Sequence, residues 1–383
     1  DAPTVASLVD GYKGRAALEA GEAFDPTPAN LAARTQTYTI GDKLMVSLLP
    51  KKTRGGTVVL NADFRFGDVD AMRRVAPNAA GMAGSLLMRG SKTMSREQID
   101  KRFEELKTSA GVSGGSQGAG ISLSSRRGEL AAALTLAADI LRNPAYPESE
   151  FEQLRLQAIT GMEAGRKEPG TVIGEAMGAA FDPWPADHPL RHRDFDTRMR
   201  ELKALKLDDV RAWHRDNYGT SEGQIAIVGD FDPDQIKPLL QKLFADWTSR
   251  VAYAPIPTRY NPVAARTQRF ETPDKSNAVF SARQNLALND DNPDYAALLV
   301  ANNIFGGGAL KSRLGDRVRQ KDGLSYSISS GISADASRDG KDDAGSFAIQ
   351  AIAAPQNMER LQAAVREELA RFLKDGVTET ELK

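Results

Sequence analysis

A chain of 383 residues is too long for one ordinary domain and fits two domains of roughly 200 residues each. Its 50 Lys and Arg against 51 Asp and Glu leave a net charge of -1, which excludes binding to nucleic acid or to an anionic membrane by overall charge. The longest apolar runs, such as Ala296–Ala301, are far shorter than the ~20 residues of a membrane helix. We therefore expect no membrane span.

The sequence contains no cysteine and only three histidines, His188, His192 and His214. The lack of cysteine excludes thiol nucleophiles, disulfides and cysteine zinc sites. It also fits an exported protein, and the start at Asp1 without a methionine resembles the middle or the processed form of a longer product. We expect a periplasmic location in the bacterial envelope.

The predicted elements begin after a lead-in or linker over residues 1–30. Alternating apolar and polar residues predict strands over 37–49 and 57–66. The capping-box spacing from Ser95 to Gln98 predicts the start of a helix. Further predicted elements are a strand pair within 113–125, helices over 129–142, 148–167, 207–217 and 233–247, and a strand over 224–230.

A proline-containing stretch without periodicity, residues 248–262, is typical of a linker between domains. The order of the first half then recurs, with a strand over 277–282, a helix over 293–305, strands over 324–332 and 346–353, and a helix over 357–373. A local similarity between residues 136–154 and 361–382 supports a weak repeat. We predict a first domain over 31–247 and a second over 263–383, the second incomplete at its C-terminal side.

Residues 81–93 resemble the zinc-binding segment of the pitrilysin/insulinase (M16) metallopeptidases. In that family the segment reads His-x-x-Glu-His, and its spacing places two zinc ligands and the general base on one helix face. Registered on Arg89 and the glycine after it, the two histidines fall on Gly81 and Ser85 and the glutamate on Gly84. The third family ligand, a glutamate, falls near Gly161 or Met162; Glu163 is close but lacks the two histidines as partners. We predict no metal in this chain and a small-residue helix packed against its sheet.

A longer resemblance to the same family covers the second domain. Residues 303–314 and 318–327 resemble the signature of the family's non-zinc domain, in which a glycine-rich turn is followed by Ser-Arg-Leu, here residues 312–314, and then by Ile-Arg-x-x-x-Gly-Leu-x-Tyr. The resemblance implies that the matching Arg319 and Tyr326 donate hydrogen bonds to substrate at the zinc site of an opposing half. It also implies a glycine-rich segment that contacts peptide substrates. The residues matching that segment are Gly306, Gly307 and Gly308.

The resemblance implies an α+β fold of two homologous domains, each a mostly antiparallel sheet with helices packed on one face. It further implies the non-catalytic half of a zinc metallopeptidase, inactive alone. Such a half pairs with a zinc-bearing half, which is either a separate subunit of a heterodimer or the preceding part of a longer chain. The zinc would be in that partner half, and the substrate would be a peptide.

Other interpretations of the same residues stay open. Arg319 can cap a helix end and Tyr326 can be a half-buried strand aromatic. The chain can also be a structural subunit without a proteolytic role, like the core subunits of respiratory complexes that resemble this family, or a protein that binds peptides without cleaving them. The glycine triplet lacks the Gly-Lys-Ser/Thr of a phosphate loop. We expect His188 and His192 at the surface or in turns, and His214 in packing.

Overall fold

The computed structural model describes residues 19–308, 311–336 and 342–383. They form two compact units, the first running to Phe151 and including Lys206–Ala254, the second comprising Glu152–Leu205 and Pro255–Lys383. Among these residues, no helix combines the length and the apolar character that crossing a membrane requires. Of the predicted lead-in, residues 1–18 lie outside the described part of the chain, and a helix begins at Pro28.

Helices and strands follow one another in nearly the predicted order. The helices are α1 (Pro28–Arg34), α2 (Val69–Arg73), α3 (Ala79–Leu86), α4 (Arg96–Glu105), α5 (Leu130–Arg142), α6 (Glu148–Gly165), α7 (Pro169–Ala180), α8 (Phe195–Ala204), α9 (Leu207–Asn217), α10 (Pro233–Phe244), α11 (Tyr295–Asn302) and α12 (Met358–Asp375). The strands are β1 (Gln36–Ile40), β2 (Leu44–Pro50), β3 (Thr57–Arg65), β4 (Ser109–Gly114), β5 (Gly118–Arg126), β6 (Glu222–Gly229), β7 (Ala278–Leu286), β8 (Ser325–Ser333) and β9 (Gly345–Ala353). Two π-helical segments, Asn303–Gly307 and Gly315–Lys321, precede β8.

Unit 1 contains a six-stranded sheet in the order β1-β2-β6-β3-β5-β4. All its pairings are antiparallel except that of β2 with β6. The single strand predicted over 37–49 is a hairpin, because Gly41 adopts a φ of 59° that favours glycine and turns the chain between β1 and β2. The capping box is present, with the Ser95 hydroxyl accepting from Gln98 N and the Gln98 side chain accepting from Ser95 N.

The core of unit 1 lies on one face of this sheet. On β3 the alternate residues Val58, Leu60 and Phe64 are buried while their neighbours are more exposed. The ring of Phe64 packs against Phe244 and Trp247 at centroid distances of 5.0 and 5.1 Å. The period-two burial explains why helices cover only one face of the sheet.

Unit 2 contains a three-stranded antiparallel sheet in the order β7-β9-β8. This order matches β3-β5-β4 of unit 1, and in both units helical segments lie between the first two strands in sequence and a helix follows the third. The fold is therefore α+β with repeated, mostly antiparallel sheets. The core of unit 2 is formed by buried residues of the helical segments, β9 and α12, namely Phe305, Leu314, Val318, Leu324, Ile349, Ala351, Ala353, Leu361, Ala364 and Val365.

The compact units differ from a continuous first domain over 31–247, because residues 152–205 belong to unit 2. Lys275 forms an ion pair with Glu168 at 2.5 Å, and Asn261 donates to the Asp182 carbonyl at 3.2 Å. Such contacts join segments distant in sequence, which local periodicity does not show. The unit boundary after Ala254 lies within the predicted linker 248–262.

Candidate functional site

Helix α3 carries the three residues that match the family's zinc motif. Gly81 and Ser85 are exposed, and the Ser85 hydroxyl donates to the Gly81 carbonyl at 3.0 Å. Gly84 is buried. The described residues contain no group of three or more His, Asp or Glu side chains arranged to hold a metal ion. The residues at these positions do not fit a zinc ion, because one hydroxyl is the only side-chain ligand they offer.

Gly84 allows α3 to lie directly on the sheet. A Cβ atom at this position would be 1.9 Å from the carbonyl oxygen of Gly114 on β4. At Gly81, one turn earlier, a Cβ atom would have no neighbour within 4 Å. The prediction of a small-residue helix packed against its sheet is thus confirmed, and the contact depends on Gly84 alone of the two glycines.

A second close contact lies behind Gly114. A Cβ atom on Gly114 would be 1.9 Å from the hydroxyl oxygen of Tyr218, a buried group without a hydrogen-bond partner. Burial raises the pKa of Tyr218 well above its ordinary value. The space beneath the degenerate motif is therefore filled by backbone and by an uncharged phenol.

Among the described residues, none of the three histidines belongs to a group of side chains that could hold a metal ion. His214 is in packing as predicted, with its ring 4.4 Å from that of Tyr218, and burial lowers its pKa. His188 lies in a turn but is buried, stacked on Trp184 with ring centroids 4.0 Å apart. His192 is half-buried, and its Nε2 lies 3.6 Å from Glu175 Oε2.

The glycine triplet follows α11 and packs against β8. Gly306 is buried, and a Cβ atom there would lie 2.5 Å from Ser330 Oγ and 2.8 Å from a methyl carbon of Leu314. Gly307 is exposed and Gly308 is intermediate. The glycine-rich segment, the Ser-Arg-Leu segment and β8 thus pack together at Gly306.

Arg313 fixes the Ser-Arg-Leu segment to the C-terminal side of α12. Its guanidinium donates two hydrogen bonds to the Glu381 carboxylate, at 2.6 and 2.8 Å, and one to the Gly376 carbonyl at 2.6 Å. The hydrogen bond from Arg313 is the main reason that the pKa of Glu381 falls to about 2. A bidentate pair of this kind sets orientation as well as distance. Arg313 is therefore a structural anchor.

Arg319 lies in the π-helical segment Gly315–Lys321 and is half-buried. The segment is held on both sides, because Val318 is in the core and Arg317 forms ion pairs with Asp322 at 3.1 Å and Glu367 at 3.0 Å. π-Helical turns recur at functional sites. The arginine proposed as a donor thus stands on a backbone fixed by its two preceding residues.

Tyr326 projects from a β-bulge at the start of β8. Ser325 is paired with Ala353, whereas Ser327 is paired with Ile352, so Tyr326 is the extra residue of the bulged strand. Its side chain is 93% exposed, and the interpretation of a half-buried aromatic is therefore wrong. Bulges redirect side chains next to functional sites.

The hydroxyl of Ser325 holds the bulge. It lies 2.8 Å from the carbonyl oxygen of Ser327 and 2.6 Å from that of Ile352, and it accepts from Ser327 N at 3.1 Å. The hydroxyl has one hydrogen and therefore donates to only one of the two carbonyls at a time. Sequence reasoning missed Ser325 and Ile352, since their roles depend on strand register; a serine directly before the matched tyrosine was the only local signal.

The fold has close structural relatives. A solved structure described as a peptidase M16 inactive domain from Pseudomonas fluorescens superimposes with a TM-score of 0.75 at 23% identity, covering 91% of this chain and 81% of that one. The periplasmic protease PqqL from Escherichia coli gives a TM-score of 0.72 at 16% identity, covering 95% of this chain and 38% of that one. At these identities the likeness shows the fold.

Sequence comparisons agree with the fold. An uncharacterised zinc protease of Mycobacterium leprae is 24% identical over 264 residues, 67% of this chain and 55% of the relative. The uncharacterised zinc protease YmxG of Bacillus subtilis is 22% identical over 251 residues, 66% of this chain and 58% of the relative. The chain thus spans little more than half of these curated relatives. The model of the peptidase M16 inactive domain matches residues 204–383, so this part of the chain is similar to the inactive domain of the M16 peptidases.

Proposed function

We propose that the chain is the non-catalytic half of an M16 zinc metallopeptidase and acts by supplying Arg319 and Tyr326 to a zinc-bearing partner half. The partner is either a separate subunit or another part of a longer polypeptide. The substrate is a peptide, and the metal belongs to the partner, because Gly81, Gly84 and Ser85 do not fit one. The reaction of the pair is peptide hydrolysis, to which this chain contributes binding and orientation.

The exposure of Tyr326 is the observation that carries the proposal. A side chain that is 93% exposed contributes little to the core, and the bulge that presents it requires an unpaired residue in the strand. A phenol and a guanidinium each donate hydrogen bonds to a peptide carbonyl. Both hydrogen bonds strengthen as negative charge develops on that oxygen during hydrolysis.

The glycine-rich segment has a double role in this proposal. Gly306 serves packing, since its Cβ position is occupied by Ser330 and Leu314. Gly307 and Gly308 are more exposed and are the members of the triplet that contact peptide backbone, while their own Cβ positions lie 2.7 Å from Asn302 Nδ2 and 2.4 Å from the Lys311 carbonyl oxygen. A backbone without side chains allows close approach of an extended ligand.

Reconstitution with the partner half tests the proposal. The chain is used as affinity bait, and captured proteins are assayed for zinc and for peptide cleavage. We expect the chain alone to bind no stoichiometric zinc and to cleave no peptide, and the captured zinc-bearing half to restore cleavage. Capture of membrane electron-transfer subunits in place of a zinc protein would instead support the structural-subunit alternative and overturn the proposal.

Variants test the donor roles within the reconstituted enzyme. Arg319→Ala and Tyr326→Phe should each lower kcat by about 10²–10³-fold, the usual cost of removing one such donor. Exposed residues of unit 2 provide matched controls, Arg269→Ala and Tyr260→Phe, which should leave kcat unchanged. Wild-type rates in both test variants would refute the donor roles.

We also propose that the chain works in the periplasm. The support is compositional, since a chain of 383 residues without cysteine is compatible with an oxidising compartment. Fractionation of cells that express the full reading frame checks this, with recovery in the osmotic-shock fraction expected and recovery with cytosolic markers excluding it.

A further inference from the structure

The bulge at Tyr326 places a small apolar surface beside the phenol. Ser327, the residue after Tyr326, is paired with Ile352 on β9, and Ile352 is paired on its other side with Val279 on β7. Cross-strand partners point to the same face of a sheet. The side chains of Ser327, Ile352 and Val279 therefore form a row across the sheet. We name its two apolar members, Ile352 and Val279, the Ile352 strip; Tyr326 is next to Ser327 in the chain.

The strip lies on the face opposite to the core. Ala351 and Ala353, the neighbours of Ile352, are buried in the core of unit 2, whereas Ile352 is 48% exposed. Val279 is half-buried. The alternation of a strand puts successive side chains on opposite faces, so the strip and the core are separated by the thickness of the sheet.

A polar row borders the strip on the same face. The next row on the same face is polar and consists of Ser329, Gln350 and Ser281, which are paired in register. Residues 279–281, 325–329 and 350–352 contain no charged residue. An aliphatic group gains from contact with Ile352 and Val279, while an ionised group would lose hydration without gaining a charged partner within these rows.

We propose that the Ile352 strip is a specificity subsite that binds one aliphatic side chain of an extended peptide. Tyr326 directly precedes Ser327, the partner of Ile352, and in this proposal its exposed phenol donates to a carbonyl of the same peptide. This inference rests on the proposed function in that it takes peptides to reach Tyr326. It adds that the peptide is selected for an aliphatic residue at one position.

Peptide binding to the complete chain, without metal or partner, tests the subsite. The probes are fluorescent, uncharged Ser/Thr-rich peptides that differ at one central residue, Leu, Ser or Asp, and binding is followed by anisotropy. We expect the Leu peptide to bind about five-fold more tightly than the Ser peptide, consistent with partial burial of one aliphatic side chain. The Asp peptide should be weakest.

Variants and cross-linking locate the site. Ile352→Ser should bring the Leu-to-Ser affinity ratio close to one, whereas Val300→Ser, at a residue 50% exposed on α11, should preserve it. A peptide with a diazirine-bearing leucine at the central position should label the segments that contain Tyr326 and Ile352. Labelling elsewhere, absence of binding, or a ratio unaffected by Ile352→Ser would each overturn the subsite.

These outcomes are separable from those of the proposed function. Peptides that bind without preference for Leu would refute the subsite while leaving zinc-dependent cleavage with the partner untouched. Conversely, failure to capture a zinc-bearing half would refute the proposed function, whatever the peptide affinities of the chain alone.

Discussion

Gly84 and Gly81 stand one turn apart on α3, and the structure predicts opposite effects for the same substitution. In Gly84→Ala the new Cβ would be 1.9 Å from the Gly114 carbonyl oxygen, so α3 must move by at least about 1 Å relative to β4. Overpacking of this kind costs about 2–3 kcal/mol of the free energy of unfolding. In Gly81→Ala the new Cβ has no neighbour within 4 Å. The higher helix propensity of alanine should therefore raise the free energy of unfolding by up to about 1 kcal/mol.

Urea denaturation followed by tryptophan fluorescence measures both changes. The chain has three tryptophans, and in a Trp184→Phe background the remaining two, Trp213 and Trp247, belong to unit 1 together with α3. Equal free energies of unfolding for the two alanine variants would refute the packing argument.

The same geometry predicts that introducing the family's motif residues into α3 does not create a zinc site. A variant with Gly81→His, Gly84→Glu and Ser85→His should bind no stoichiometric zinc by metal analysis, because the matching third ligand is still missing and the Gly84 substitution displaces the helix that carries the other two. Stoichiometric zinc in a folded triple variant would show that the space beneath α3 adapts, contrary to our inference.

Three further predictions concern unit 2, with denaturation followed by Trp184 fluorescence. Ser325→Ala removes the hydroxyl that holds the bulge and should cost about 1–2 kcal/mol of the free energy of unfolding; no loss would mean that the bulge is held by the backbone alone. Gly306→Ala places a Cβ 2.5 Å from Ser330 Oγ and should destabilise by about 1–3 kcal/mol, whereas an unchanged midpoint would contradict close packing there. The pKa of Glu381 is lowered from 4.5 to about 2, so the stability from its pair with Arg313 is present above pH 4.5 and is lost as the pH falls towards 2. Arg313→Ala should therefore lose less stability than wild type over that interval, and parallel pH profiles would refute the assignment.

Much of the fold was predictable because its elements are strongly patterned. The alternation on β3, the capping box at Ser95 and the amphipathic α12 are local signals, and the structure confirms each. The membership of residues 152–205 in unit 2 was not predictable, since it depends on contacts between distant segments such as Lys275 with Glu168.

The candidate site residues could be named from the sequence, but their geometry could not. The spacing from Arg319 to Tyr326 is visible in the sequence, but the bulge that exposes Tyr326 follows from the register of β8 on β9. Likewise, the sequence shows a glycine, Gly84, at the position of the motif's glutamate, whereas its contact with Gly114 depends on the packing of α3 on β4. Pairwise distances between distant residues are set by tertiary structure.

The insertion of β6 between β2 and β3 has a consequence for how unit 1 forms during synthesis. β2 and β3 emerge from the ribosome together, yet the strand that separates them is made only after the whole of α6, α7 and α8. Until then both strands present an unpaired rim of backbone amides and carbonyls, which invites association with other chains. Such a late, non-local closure is slow, so in a nascent chain of this protein these strand edges stay unpaired until β6 has been made.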